Sequence, residues 1–95
     1  MSKIRKSARG KDCQVRIPGF CRFDRETVVA AHLNGYGIGG KHSDLFTARC
    51  CSICHDILDG RNRNHPFTQE QIMVFFYEGM VRTQQQYLEE GLVNL

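Results

Sequence analysis

The sequence predicts a small α+β fold in a single domain of 95 residues, because three patterns occur together. Two short β-prone runs, ETVVAAH and LFTARCC, lie on either side of a glycine-rich loop. Two pairs of cysteines, Cys13 with Cys21 and Cys51 with Cys54, have the residue type and spacing of metal ligands. An amphipathic helical pattern follows them. A chain of this length buries only a thin core, so a metal ion would supply stability that packing alone provides poorly.

The composition is 41% hydrophobic and 24% charged, which excludes a disordered chain. No apolar run approaches the ~20 residues that span a bilayer, and the basic N-terminus lacks the apolar stretch of a secretory signal. We therefore expect a cytoplasmic protein without a membrane partner. Cytosolic thiols are kept reduced and five cysteines cannot all pair, so metal binding explains them better than disulfides do.

Basic residues concentrate in an N-terminal arm at 1–11 and in the loop GRNRNH, and the glycine-rich loop adds a lysine. Such clusters suit phosphate contacts, which supply the sequence-independent part of nucleic-acid affinity. A solvated tail and a polar loop would explain the two main clusters equally well. The candidate nucleic-acid contacts are Lys3, Arg5, Lys6, Arg9, Lys11, Lys41, Arg61 and Arg63.

The first segment after the arm is CQVRIPGFC. Apolar Val15 and Ile17 alternate with polar neighbours, and a Pro-Gly turn follows, which predicts a short irregular hairpin that brings Cys13 and Cys21 together. ETVVAAH is then predicted to be a strand that ends at His32. LFTARCC is predicted to be a second strand that leads into the C-x-x-C turn.

Two helices complete the predicted fold. Residues 52–58 should form a short helix, because Gly60 suits the position just after a helix end. Thr68 and Gln71 form a capping-box pattern for a helix from 69 to about 90. We expect its apolar stripe to cover the core, with a homodimer contact through this helix as the alternative. The stripe comprises Ile72, Met73, Phe75, Phe76, Met80 and Tyr87.

The cysteines give the strongest metal signal. Cys51 and Cys54 have the spacing of a zinc knuckle, and four thiolates form the common closed structural zinc site. Cys13 and Cys21 are more widely spaced, so a turn must return the chain to the ion. Cys50 competes with Cys51, but its spacing to Cys54 is less favourable and its strand position favours packing as a small apolar side chain. Buried free thiols are the alternative for the whole set.

His55 follows the knuckle directly, and Asp59 lies at the i+4 position, so the two side chains would share one face of a helix. Imidazole and carboxylate suit Mg²⁺, Mn²⁺ or a similar catalytic cation with open positions for water and phosphate oxygens. A solvated histidine and aspartate near a helix end are the alternative. His32 favours catalysis, because histidine is the side chain whose unperturbed pKa suits taking a proton from water.

The order of strand with His32, loop, strand and helix with His55 resembles the ββα-metal arrangement of HNH (His-Me finger) nucleases. The pattern AH…CxxCH resembles their zinc-bearing members. Over nearly its full length the chain is similar to the YbcO-type nuclease-like proteins of bacterial prophages, through KIRKSARGKDCQVRIPG, ETVVAAHL and CCSICHDILDGR. The resemblance implies a zinc-stapled, HNH or treble-clef-like core at 12–60 and an added amphipathic C-terminal helix at 67–95.

That resemblance implies a metal-dependent endonuclease that hydrolyses phosphodiester bonds of DNA. His32 would be the general base, His55 and Asp59 would hold the catalytic Mg²⁺ or Mn²⁺, and structural Zn²⁺ would be held by Cys13, Cys21, Cys51 and Cys54. The sequence departs from the HNH pattern at Ala31, where many members have another metal ligand, and in lacking the middle asparagine, for which Asp44 is the nearest polar candidate. The alternative is a noncatalytic zinc-stabilised nucleic-acid-binding module.

Overall fold

The computed structural model describes residues 3–33 and 43–93, and over these ranges it has three helices and one two-stranded sheet. The predicted small α+β fold is confirmed. No helix within these ranges has the length and apolar character needed to cross a membrane. The elements in chain order are α1 (Lys3–Ser7), a 3₁₀ turn (Arg25–Thr27), β1 (Val29–His32), β2 (Thr47–Cys50), α2 (Ser52–Leu58) and α3 (Gln69–Glu89).

The two strands pair antiparallel, with Val29 opposite Cys50 and His32 opposite Thr47. All four residues of β2 are buried, whereas β1 is exposed at Val29 and buried at Ala31. The usual alternation is missing from β2 because both of its faces are covered: Thr47 and Arg49 contact α3, whereas Cys50 contacts the cysteines on the other side. The register places His32 at the end of β1, beside the loop that leads into β2.

Helix α3 begins with the predicted capping box. The Thr68 hydroxyl accepts from the Gln71 backbone N–H at 3.1 Å, and the Gln71 side chain accepts from the Thr68 backbone N–H at 2.8 Å. Two backbone N–H groups at the helix start, which have no acceptor within the helix backbone, are therefore hydrogen-bonded. The predicted role of α3 in covering the core is confirmed, since its buried residues are Ile72, Phe76, Gly79, Thr83 and Tyr87.

Gly79 allows α3 to approach the N-terminal segment closely. A Cβ added there would lie 2.9 Å from both Cα and Cγ2 of Val15, closer than real Cβ atoms approach. The glycine therefore serves packing, although glycine inside a helix is unfavourable by about 1 kcal/mol relative to alanine. The remaining face of α3 exposes Val74, Tyr77 and Val81.

A fully buried arginine, Arg49 on β2, fastens α3 to the sheet. Its two terminal nitrogens donate to the two carboxylate oxygens of Glu90 at 2.7 and 2.8 Å, and one of them also donates to Gln86 at 2.8 Å. The other donates to the Ser7 hydroxyl at 3.1 Å, and the guanidinium carbon lies 5.1 Å from the ring centre of Tyr87. One side chain thus holds α1, β2 and α3 together.

The hairpin predicted for 13–21 is wrong, because this segment forms turns and bends without a strand. Val15 and Ile17 are both buried, but Gln14 is buried as well. The backbone N–H of Gln14 donates to the Arg49 carbonyl at 2.7 Å. Arg16 adopts a left-handed conformation with φ of 53°. A regular strand would alternate its faces, whereas this segment buries consecutive residues under α3.

The N-terminal arm contains a helix and is fastened to the rest of the domain. Ala8, just after α1, is 1% exposed. Arg5 binds Asp44, and Lys11 pairs with Glu90 at 3.8 Å. The basic residues of α1 are therefore presented on a fixed surface.

Candidate functional site

The four predicted zinc ligands converge. One sulfur from each of Cys13, Cys21, Cys51 and Cys54 lies within 4.8 Å of all the others, and the Cys21 and Cys51 sulfurs are 3.9 Å apart. Tetrahedral zinc with bonds of about 2.3 Å would place its sulfurs about 3.8 Å apart. The set could therefore hold a metal ion such as zinc after small inward movements.

The ionisation of these thiols is coupled through their contacts. Hydrogen bonds from Cys50 and then Cys54 hold the pKa of the Cys13 thiol well below its ordinary value. Burial raises the pKa of Cys21 to about 12, and the hydrogen bond with Cys13 is the main cause that raises the pKa of Cys54. The cluster thus favours one thiolate stabilised by neighbouring thiols. A divalent cation would offset the cost of ionising the other ligands.

Local structure explains how the cysteines meet. Cys51 is the N-cap of α2 and Cys54 lies in its first turn. Cys21 follows the turn that ends the 13–21 segment, and its sulfur accepts from the Phe23 backbone N–H at 3.4 Å. Cys50 is fully buried as expected, but it contacts the cluster through Cys13 and Cys54 and is not one of the four converging ligands.

His32 is paired with an aspartate. Its Nε2 lies 2.6 Å from Oδ1 of Asp44, and the two side chains are only 19% and 18% exposed. Nε of Arg5 donates to the same carboxylate, at 3.2 Å to Oδ1 and 3.3 Å to Oδ2. The sequence suggested Asp44 only as a substitute for a missing asparagine. Its contact with His32 depends on the strand pairing, so local sequence carried no signal for it.

The i, i+4 pair on α2 is also in contact. Nε2 of His55 lies 3.1 Å from Oδ2 of Asp59, which is the C-cap of the helix. The same carboxylate oxygen lies 3.0 Å from Nη1 of Arg61. Arg61 also binds Asp56 at 2.8 Å. Asp59 is therefore shared between a histidine and an arginine.

His32 and Asp59 line one shallow crevice, together with Leu33, Leu58 and Phe76. Ala31 lines it too and offers no ligand atom. In the part of the chain that the structure describes, the four-cysteine cluster is the sole group of three or more potential ligands within coordinating range. The crevice thus combines an imidazole and a carboxylate, with His55 next to that carboxylate.

The basic candidates fall into two groups. Arg5, Lys6 and Arg9 line an open groove together with residues 26–29, of which Glu26 is acidic. Elsewhere, Lys3 is exposed, Lys11 and Arg61 are paired with carboxylates, and Nε of Arg63 donates to the Gly60 carbonyl at 3.2 Å. Lys41 lies outside the described residues. The groove is the strongest concentration of positive charge among them.

Three comparisons with known proteins each find a match over almost the whole chain. The family model described as "Putative nuclease YbcO" matches residues 2–92. The chain is 43% identical over 97 residues to "Putative nuclease YbcO" of Escherichia coli (strain K12) and to "Putative nuclease ybcO" of Enterobacteria phage 82, covering 99% of each chain.

A solved structure is also similar, described as "Structure of a putative bacteriophage protein from Escherichia coli str. K-12 substr. MG1655". Its TM-score is 0.79 at 40% identity, and the match covers 94% of this chain and 100% of that one. The sequence and fold matches both span almost the whole chain. The chain therefore belongs to the family described as "Putative nuclease YbcO".

Proposed function

We propose that the protein is a metal-dependent endonuclease of the HNH type that hydrolyses phosphodiester bonds of DNA. The observation that carries this proposal is the chain of contacts from Arg5 through Asp44 to His32. Arg5 also lines the basic groove, so a phosphate backbone held there would pass beside the imidazole. A bound nucleic acid and a proton acceptor would thus meet at one place.

His32 is assigned as the general base. An ionised carboxylate only accepts hydrogen bonds, so the contact with Asp44 places the proton of the neutral ring on Nε2. Nδ1 then has the free lone pair that takes a proton from an attacking water. Asp44 holds the ring in this tautomer, and Arg5 holds Asp44.

His55 and Asp59 are assigned to the catalytic cation, Mg²⁺ or Mn²⁺. Their ligand atoms already lie 3.1 Å apart, which suits two adjacent coordination positions after a small adjustment. When bound, the cation would stabilise negative charge on the scissile phosphate and the leaving oxygen. Arg61, which shares Asp59, would be released to contact a phosphate.

The four cysteines are assigned to a structural Zn²⁺. Cys51 and Cys54 fix the start of α2, and His55 follows Cys54 directly, so the zinc site would hold the helix that carries the catalytic ligands. With both ions bound, this arrangement would correspond to the ββα-metal, treble-clef-like core proposed for an HNH enzyme. The nucleic-acid contacts in the groove would be Arg5, Lys6 and Arg9.

A noncatalytic zinc-stabilised nucleic-acid-binding module is the second candidate. Two observations favour it. Arg61 forms an ion pair with the Asp59 carboxylate, and Ala31 provides no further metal ligand in the crevice. In such a module His32 and His55 would only pack or contact phosphate, and the basic groove would provide the affinity.

Plasmid nicking separates the two functions. Zinc-loaded protein is incubated with supercoiled DNA over a titration of Mg²⁺ or Mn²⁺, and the open-circular product is measured. The endonuclease proposal predicts cation-dependent nicking, and Asp59→Asn should raise the required cation concentration about tenfold or more. Asp56→Asn, which removes the neighbouring carboxylate on the same helix, is the matched control. DNA binding without cleavage in either cation would favour the module.

A further inference from the structure

Phe23 exposes its aromatic ring in the turn that follows Cys21, within the sequence CRFDR at 21–25. The residue is 57% exposed, one of the highest values among the large apolar residues of the described chain. Its φ is 55°, in the left-handed region. Both properties are unusual for phenylalanine, which prefers burial and negative φ.

The turn itself is fixed on both sides. The Phe23 backbone N–H donates to the Cys21 sulfur at 3.4 Å. Asp24 then caps the 3₁₀ turn Arg25–Thr27, its side chain accepting from the Glu26 backbone N–H at 3.1 Å. Glycine or asparagine would adopt this conformation at lower cost. Neither core packing nor backbone conformation therefore accounts for a phenylalanine at this position.

Phe23 lies close in the chain to the basic groove. Residues 26–29, which begin three positions after Phe23, line that groove together with Arg5, Lys6 and Arg9. The turn is tied to the basic N-terminal segment by the Gly10 backbone N–H, which donates to the Arg25 carbonyl at 3.3 Å. The side chain next to the ring, that of Arg22, is exposed as well. The turn that carries the exposed ring is thus joined to a groove lined by three cations and one carboxylate, that of Glu26.

This combination matches the chemistry of an unpaired nucleotide. Cations hold the phosphate backbone, and an exposed aromatic face stacks on a base that is not buried in a duplex. In a closed duplex the base faces are already stacked on each other, so a single exposed ring would reach them only by unstacking a base step, at a cost of about a few kcal/mol.

We propose that Phe23 is a stacking platform for an unpaired nucleobase, and that the protein therefore prefers single-stranded or locally opened DNA to closed duplex. The proposal rests on nucleic acid as the ligand of the proposed function, but not on the assignment of His32 as base.

The test uses the absence of tryptophan from the sequence. Phe23→Trp places the only tryptophan of the chain at the platform and keeps an aromatic face. Zinc-loaded Phe23→Trp protein is titrated with a thymidine oligonucleotide and with a duplex of equal length, without added Mg²⁺ or Mn²⁺. The expected result is quenching of the tryptophan fluorescence by the single strand, with at least severalfold weaker binding of the duplex.

Two further variants separate stacking from general apolar contact. Phe23→Leu keeps apolar bulk without a π face, and it should weaken single-strand binding roughly 5-fold to 100-fold with little effect on duplex binding. Tyr77→Ala removes an exposed aromatic residue of α3 and should leave both affinities unchanged. Zinc content and circular dichroism verify that each variant is folded.

Unchanged single-strand affinity in Phe23→Leu would overturn the assignment of Phe23 as a stacking platform. Tryptophan fluorescence in Phe23→Trp that is not quenched when the oligonucleotide is bound would overturn it as well. Equal losses in Phe23→Leu and Tyr77→Ala would overturn it too. In each of these cases the nuclease proposal survives, because plasmid nicking that requires His32 tests it separately.

Discussion

Nε2 of His32 lies 2.6 Å from Oδ1 of Asp44, and Nε of Arg5 donates to the same carboxylate. One aspartate therefore connects the end of β1 with the basic helix α1. In an endonuclease this contact would orient the imidazole and would place it beside the phosphate-binding groove. In a binding module the same contact would have no effect on chemistry.

Replacing Asp44 tests this relationship. Asp44→Asn keeps the size of the side chain, but its amide can present a donor to Nε2 and its charge no longer attracts Arg5. We expect kcat for DNA cleavage to fall roughly 10-fold to 100-fold, the usual cost of losing an orienting partner, with KM nearly unchanged. Asp12→Asn, which removes an exposed partner of Arg25, is the matched control. A kcat equal to wild type in Asp44→Asn would contradict the positioning role.

The cysteines should differ in their effect on metal content. We expect one zinc ion per chain, lost in Cys54→Ser together with the cooperative fold, because zinc-binding free energy is folding free energy in a domain this small. Cys50→Ala should retain the zinc, since Cys50 is not among the four converging sulfurs. Metal analysis and thermal unfolding of the two variants provide the comparison. Loss of zinc from Cys50→Ala, with zinc retained in Cys54→Ser, would show that the ligand set is different.

The basic groove should determine the salt dependence of DNA binding. The double substitution Lys6→Ala and Arg9→Ala should lower the slope of log K against log salt by about 1.8 on duplex DNA, because each phosphate contact contributes about 0.9. Arg61→Ala, measured without divalent cations, should change the slope less, since Asp56 and Asp59 already neutralise that guanidinium. Binding titrations from about 50 to about 200 mM salt test this. Equal slopes for wild type and the double variant would exclude the groove as a site of phosphate contacts.

The ion pair of Glu90 with buried Arg49 predicts a pH-dependent contribution to stability. Hydrogen bonds from Arg49 are the main cause that lowers the pKa of Glu90. A lowered pKa means stability that is fully present above the unfolded value of about 4.3 and is lost as pH falls through the folded value. Glu90→Gln should lower the free energy of unfolding by about 2 kcal/mol at neutral pH.

Urea denaturation of wild type and Glu90→Gln from about pH 7 to about pH 3 measures this contribution. The difference between the two proteins should shrink as the pH falls below the unfolded value of about 4.3 and through the lower native pKa of Glu90. Glu89→Gln, at the adjacent exposed position, should show little difference at any pH. A Glu90→Gln difference that stays constant across this range would show that the charge of Glu90 is not its cause.

Features with local causes were predictable from the sequence. Thr68 and Gln71 satisfy each other's backbone groups within one turn, so their pattern is sufficient to place the start of α3. Gly60 follows α2 with φ of 77°, a conformation that glycine adopts freely. The i, i+4 spacing of His55 and Asp59 likewise predicted that they share one face of the helix, and their side chains are in contact.

Features that depend on distant contacts were not predictable in this way. The turns of 13–21 form because consecutive residues such as Gln14 and Val15 are buried under α3, which overrides their alternating pattern. Arg49 sits in a strand whose sequence gives no indication that the side chain is fully buried by Glu90, Gln86 and Tyr87. The partner of His32 also became clear only from the strand register.

The role of His32 as general base is tested most directly by plasmid nicking with zinc-loaded wild type, His32→Ala and His65→Ala in Mg²⁺ or Mn²⁺. His65 is the matched control, a loop histidine whose ring stacks on Phe67 and whose Nδ1 accepts from the Phe67 backbone N–H at 3.2 Å. If His32 is the general base, His32→Ala should lose roughly 10²-fold to 10⁴-fold in rate while DNA affinity and zinc content are retained, and His65→Ala should cleave like wild type. Equal cleavage by wild type and His32→Ala would contradict that role.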